Sequence, residues 1–242
     1  MAILENSSVR SMVEGPRVTL TIDRAERGNM LTLPMIGQLS RHLRSLPRDA
    51  KLVHLVATGP DFCCGRDPQG NPQTANALDM RAALVDPILD FYEALAECPV
   101  PIVCGVRGRA HGLGAALAGA CDITIAGTAG FRLPEMEKDL PPTLAMSVLV
   151  PRIGLKALAL LIYGMEEIDS VTAAAIGLVS RTVPDAELDL QVEHLIETML
   201  ARSRPALVAV KDYLRAAPGL PARQNRDFAG NLLAAVLSSA ER

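Results

Sequence analysis

Tryptophan is absent from the chain, and aromatic residues fill only 3% of its 242 positions. A core must therefore be packed from Ala, Val, Leu and Ile, for which the 49% hydrophobic content is ample. No run of Lys or Arg occurs, and no basic patch interleaved with aromatics. The 24 basic and 27 acidic residues leave a net charge of −3. The electrostatic footprint of a nucleic-acid binder is missing, so no nucleic-acid partner is expected. The longest apolar stretches are cut by Gly, Pro or Arg short of a bilayer span, so no membrane partner is expected either. No basic segment leading into an apolar stretch opens the sequence. The five cysteines, at 63, 64, 98, 104 and 121, form no paired framework. These features predict reduced thiols and a cytoplasmic location. Cys63-Cys64 begins like a metal site, but no CxxC or HxxxH follows, so no metal is expected.

The patterning that is present predicts α/β. Residues 18–22 (VTLTI), 52–57, 102–106 and 122–126 (DITIA) read as strands, apolar throughout rather than alternating. Between them, residues 32–46 carry helical spacing, with Met35, Leu39 and Leu43 on one face, and residues 80–97 do so with Leu84, Ile88, Phe91 and Leu95. Residues 70–75 read as a loop. This order of strands and helices, with buried parallel strands, is that of an α/β domain. Beyond Pro151 helices are expected over 155–163, 171–175, 188–201, 205–214 and 225–240, with a last strand over 178–183.

Two glycine-containing strand-to-helix turns carry the candidate chemistry: residues 62–67 (FCCGRD) and 108–114 (GRAHGLG). Glycine allows close backbone approach, and a helix N-terminus presents unpaired N–H groups with a partial positive charge. Two such turns can supply two N–H donors to one oxygen, an oxyanion hole. On glycine spacing alone, close packing is the favoured explanation over a functional one. A phosphate cradle is disfavoured, because Leu117 stands where G-x-G-x-x-G needs its last glycine. Glu135, on the Pro-restricted segment Phe131-Arg132-Leu133-Pro134-Glu135 after a short turn from the strand, can serve as a general base. His111 beside the second turn is a candidate acid or hydrogen-bond donor. Asp67 and Asp139 read as caps or solvent-facing carboxylates. Glu137 shares the side of Glu135 if the segment is extended. Cys64 has no partner that would make it a nucleophile.

Four segments, in order and at similar spacing, resemble the crotonase (enoyl-CoA hydratase/isomerase) superfamily. Residues 23–29 (DRAERGN) resemble its RPxxxNAL segment, 59–67 (GPDFCCGRD) its GxxFcAGxDL, 101–114 (PIVCGVRGRAHGLG) its PvIAaVnGxAxGGG, and 122–142 its cDiriA…FxxPExxlGlxP. Residues 163–168, 173–179 and 202–211 resemble its later stretches, so nearly the whole chain is covered. The resemblance implies a crotonase-like spiral of ββα turns over residues 1–187. A C-terminal helical region over 188–242 would then mediate trimerisation, as a homotrimer or dimer of trimers.

It also implies an acyl-coenzyme A thioester as substrate, whose enolate oxygen is held by the backbone N–H groups of Arg66 and Leu113. At the second of these positions the family has Gly, and Leu narrows the pocket. Coenzyme A would enter as part of the substrate, with no metal, flavin or other tightly bound cofactor. Ala25, Cys64 and Arg66 would contact it, and Arg24 and Arg27 would meet its phosphates. The family's hydratases use two glutamates; the first position is Ala116 here, the second Glu135. One glutamate at this site resembles the family's Δ3,Δ2-enoyl-CoA isomerases, in which a single base moves a proton from C2 to C4. The alternatives are acyl-CoA decarboxylation or hydrolysis, with His111 assisting, and a catalytically inactive scaffold.

Overall fold

A computed structural model describes residues 8–72 and 76–239. Strands β1 (Val9–Glu14) and β2 (Arg17–Ile22) form an antiparallel hairpin. Strands β3 (Leu52–Ala57), β4 (Ile102–His111) and β5 (Ile123–Arg132) then add in parallel, in that order. Two short strands flank β5: β6 (Ile168–Asp169), antiparallel, and β7 (Arg181–Thr182), parallel.

The central stretches of β3, β4 and β5 are mainly apolar because both faces are covered. Val53 on β3, Ile102 and Cys104 on β4 and Ala126 on β5 face the main core. That core is filled by helices α1 (Leu33–Arg44), α3 (Asp86–Glu97) and α4 (Leu113–Ala120). Their neighbours Leu52, Val103 and Ile125 face the other way, onto Leu188, Val192, Ile196 and Met199 of α8 (Leu188–Leu200). The region expected to be helical from residue 188 onward thus begins with a helix seated on the sheet.

Several boundaries differ from the sequence-based expectation, each for a physical reason. Strand β1 was not expected: it is an exposed edge strand, so its sequence lacks alternation. Strand β5 runs on through residues 127–130, where a short turn was expected. Gly127 and Gly130 open no turn; they leave room for the carboxylates of Asp185 and Glu167, 2.3 Å and 2.5 Å from where a Cβ would stand. The helix expected over 80–97 is α2 (Ala77–Met80), a widened π turn over Arg81–Val85, and α3. Pro87 at the start of α3 cannot donate to the preceding turn, which accounts for the widening. Of the strand expected over 178–183, only Arg181–Thr182 pairs with β5. The loop expected over 70–75 and the last helix reach residues 73–75 and 240, which lie outside the described residues.

The remaining helices are α5 (Thr143–Leu149), α6 (Leu155–Gly164), α7 (Ser170–Ala175), α9 (Arg204–Ala216) and α10 (Ala222–Ser239). Helix α9 is tied to the core by Lys211, whose Nζ donates to Asp122 Oδ2 (2.8 Å) and to the Val100 carbonyl (3.0 Å). No helix among the described residues is long and apolar enough to cross a membrane.

Candidate active site

A bulge on β5, opposite β4, shapes the site. The register of β4 on β5 shifts between Val106 and Gly108, with the extra residue on β5 between Ala126 and Ala129, and Gly108 takes φ +63°. A Cβ there would lie 2.0 Å from the Pro60 carbonyl, so only glycine lets the two segments close. Beyond the bulge, β4 runs alongside the first turn: Phe62 N–H donates to Arg107 O, Cys63 N–H to Arg109 O and His111 N–H to Cys63 O, each at 3.0 Å. Gly114, in the first turn of α4, leaves no room for a side chain, since its Cβ would stand 2.0 Å from the Cys63 carbonyl. The two glycine turns are therefore in direct contact.

Each turn presents a free amide. Leu31 N–H donates to Gly65 O and Asp67 N–H to Leu31 O, both at 2.9 Å. These parallel-bridge bonds belong to the neighbours of Arg66, so the Arg66 N–H faces the opposite side. Leu113 is the first residue of α4, where the N–H has no acceptor within the helix. Neither N–H donates to a described residue. The Leu113 side chain is 6% exposed and belongs to the main core.

Glu135 sits on a 3-10 turn over Pro134–Lys138, against the start of α4. Gly112, at φ +53° and ψ −117°, precedes that helix; a Cβ on it would lie 2.7 Å from Glu135 Oε1. The other oxygen, Oε2, is buried without a hydrogen-bond partner. Burial holds the carboxyl above its ordinary range, opposed by its own backbone N–H and by Lys138. Ala116 is fully buried in α4 and offers no second carboxylate. Glu137 does not join Glu135: the turn is not extended, and Glu137 pairs with Arg132.

His111 turns towards Glu167, with Nε2 2.6 Å from Oε2. Arg24 is turned inward, its Nη1 donating to Met30 O (2.8 Å) and pairing with Asp67 (2.7 Å); it is built into the loop rather than displayed to a phosphate. Arg27 is half-exposed with only a 3.8 Å contact to Asp67. Ala25 packs on Gly59, and Cys64 N–H donates to Gly28 O at 2.8 Å. Burial pushes the Cys64 thiol up, the Asp61 carboxylate adding to it, and pushes Cys63 to about 12, so both are thiols. Asp67 is buried rather than solvent-facing; the Gln69 N–H and then Arg24 hold its carboxyl below the usual range. Asp139 caps the 3-10 turn in a left-handed conformation (φ 54°). All five cysteines are free, and no cluster of three metal-ligating side chains occurs among the described residues.

Two residues escaped the sequence reasoning. Asn29 is fully buried and joins the loops of the first two motifs: its Oδ1 accepts from Arg24 N–H, and its Nδ2 donates to Thr58 O and Asp61 O. Its position inside the first motif was the available signal. Tyr92, buried on α3, has its phenol pushed up by burial, then by the carboxylate of Glu135 and by Cys63. It fits the apolar stripe of its helix, so nothing in the sequence sets it apart.

Comparisons with known proteins identify the family. The family model for enoyl-CoA hydratase/isomerase matches residues 17–242. A probable enoyl-CoA hydratase of Rhodobacter capsulatus is 29% identical over 75% of this chain and 71% of its own. The 1,2-epoxyphenylacetyl-CoA isomerase of Escherichia coli is 29% identical over 86% and 82%. Among solved structures, a putative enoyl-CoA hydratase from Thermobifida fusca in complex with CoA superposes with a TM-score of 0.86 at 29% identity, covering 97% of this chain and 94% of that one. The enoyl-CoA hydratase of Mycobacterium smegmatis shares the fold, with a TM-score of 0.89 at 24% identity over 96% and 91%. The chain has the crotonase fold and belongs to the enoyl-CoA hydratase/isomerase family.

Proposed function

We propose that this protein isomerises the double bond of an acyl-coenzyme A thioester, with Glu135 as the single acid/base. The observation that carries the reading is the state of Glu135: one oxygen against Gly112 at the mouth of α4, the other buried and unpaired. The thioester oxygen would lie between the N–H groups of Arg66 and Leu113. Electron density arriving there as the C2 proton leaves is stabilised by two fixed dipoles and the N-terminus of α4. Glu135 takes the C2 proton and the C2–H electrons form a C1–C2 double bond with the charge on the thioester oxygen, a dienolate. As that oxygen re-forms the carbonyl, the double bond shifts to C2–C3 and the former C3–C4 π electrons take the proton that the same carboxyl returns to C4. The double bond then lies between C2 and C3, and enzyme and proton count are restored. Hydration needs a second group to activate water, and Ala116 supplies none.

Arg27, Ala25 and Cys64 remain the contacts for the coenzyme A portion, and the protein as a whole would form a trimer or dimer of trimers. No residue of helix α10 is fully buried within the chain, and the exposed Val210, Leu214, Leu233 and Leu237 support burial against further copies. The reading also keeps residues 1–187 as the catalytic core and a cytoplasmic location.

The test is turnover of a panel of 3-enoyl-, 2-enoyl- and malonyl-type thioesters. Isomerisation of the 3-enoyl ester is expected, abolished in Glu135→Gln while thioester binding survives. Unchanged rates in that variant would remove Glu135 from the mechanism, and a parent protein inert towards the whole panel would leave only a scaffold.

A further inference from the structure

Three guanidinium groups lie beside the first glycine turn, and only two of them reach its one carboxylate. Asp67 is buried and pairs with Arg24 at 2.7 Å and more distantly with Arg27 at 3.8 Å. Arg66 has no carboxylate within ion-pair distance among the described residues. Its Nη1 donates to the Asp67 carbonyl (3.1 Å) and to Asn71 Oδ1, both neutral acceptors. Nε and Nη2 make no hydrogen bond to a described residue and are not sealed from solvent. The following residues, Gln73, Thr74 and Ala75, bring no acid. The guanidinium is half-buried, and its burial outweighs the help of the Asp67 charge. A partly desolvated cation without an anion is costly, and a ligand that brings the anion removes that cost.

The position says which anion. In the proposed function the Arg66 backbone N–H binds the thioester oxygen, so its guanidinium lies within one side-chain length, roughly 7 Å, of the reacting carbonyl. The pyrophosphate of coenzyme A stands beyond the pantetheine arm, roughly twice that length away. Contact with the coenzyme phosphates is therefore out of reach for this side chain.

We infer that the acyl group of the substrate carries a second carboxylate, held by Arg66: the substrate is the coenzyme A monothioester of a short dicarboxylic acid, roughly four to six carbons long. Asn71 and the Asp67 carbonyl fix the guanidinium through Nη1, leaving the Nε–Nη2 edge for a bidentate carboxylate. This rests on the acyl-CoA reading above.

Calorimetry with a matched five-carbon pair, glutaryl-CoA and pentanoyl-CoA, together with free coenzyme A, tests it. The parent protein is expected to bind glutaryl-CoA roughly 10- to 100-fold more tightly than pentanoyl-CoA. In Arg66→Gln, which keeps the backbone N–H, the preference disappears; in Arg66→Lys part of it remains. Should Arg66→Gln fail to fold, the parent's ratio and the Lys variant still decide. Equal affinity of the parent for the two thioesters overturns the inference and leaves Arg66 as a loop clamp. Weaker binding of free coenzyme A by Arg66→Gln overturns it in favour of a phosphate contact. Absence of binding to every thioester and to coenzyme A overturns the acyl-CoA reading itself.

Discussion

The Oε1 atom of Glu135 stands 2.7 Å from where a Cβ of Gly112 would be, so the carboxylate and the glycine that opens α4 share one space. Gly112→Ala has two consequences that can be separated. Its backbone, at φ +53° and ψ −117°, is one that L side chains avoid, at a cost of about 1–3 kcal/mol. The added methyl also pushes the carboxylate from the mouth of the helix. Gly15 is the control: it has a similar φ of +56° and nothing within 4 Å of its Cβ position. Both Ala variants are expected to lose stability in urea melts. Only Gly112→Ala should lose turnover, by roughly 100-fold or more, the scale of a displaced catalytic group. Equal turnover losses in the two would mean that Glu135 is not placed by this contact.

The raised proton affinity of Glu135 makes a signed prediction. Burial holds its carboxyl above the ordinary glutamate value, so the folded state favours the protonated form more than the unfolded chain does. The resulting cost is absent below the unfolded-state value and complete above the folded-state one. Glu135→Gln is therefore expected to be at least as stable as the parent at neutral pH, with any gain fading as the pH falls through the carboxylate range. The parent's kcat/KM should fall on the acid side at a pH above that of an ordinary glutamate, because the base must be ionised. Paired thermal melts and pH–rate profiles check both; a less stable Gln variant at neutral pH would contradict the burial argument.

That the two glycine turns and Glu135 lie close together was legible because each depends on short-range sequence: glycines at fixed offsets, a Pro-Glu step after a strand. What was not legible depends on distant partners. Gly127 and Gly130 read as turn residues, yet they serve β5, because Asp185 and Glu167, far along the chain, fill the space beside them. His111 looked available as an acid, but its ring meets Glu167, 56 positions away. Arg24 and Arg27 read alike in sequence, and the buried Asp67 separates them, drawing Arg24 inward and leaving Arg27 half-exposed. No periodicity encodes such pairings.

Lys211 is 6% exposed, and its ammonium is satisfied by Asp122 and by carbonyls near the end of α3. Asp122 Oδ2 also accepts the Ile102 N–H at the start of β4 (2.7 Å), so this one carboxylate joins α9 to the sheet. Lys211→Met strands a buried charge and is expected to cost about 3–5 kcal/mol, measured by urea unfolding. Asp122→Asn in the same chain removes that charge but keeps an oxygen for Ile102, and should recover part of the loss. The double-mutant cycle gives the coupling directly. A single variant as stable as the parent would show that α9 is held by its apolar contacts alone.

His54 lies on β3 beneath α8, in a half-buried group with Arg17 and Glu193. Arg17 Nη2 lies 2.7 Å from His54 Nδ1, and Arg17 Nη1 donates to both oxygens of Glu193 at 2.7 and 2.9 Å. A guanidinium can only donate, so Nδ1 is an acceptor and the ring is neutral. Burial first, then Arg17, lower the His54 pKa from 6.5 to about 4, with Glu193 and Asp189 opposing. Because the folded-state value is depressed, this stability is fully present above the unfolded value of 6.5 and is lost as the pH falls towards 4. The loss amounts to roughly 3 kcal/mol. His54→Asn keeps an acceptor for Arg17 and cannot titrate. Urea melts of parent and variant across that range should therefore diverge, the parent losing stability faster as the pH falls. Carboxylates elsewhere titrate alike in both proteins and cancel in the difference. Parallel pH profiles would mean that the ring accepts its proton without breaking the Arg17 contact, and that α8 does not depend on a neutral His54.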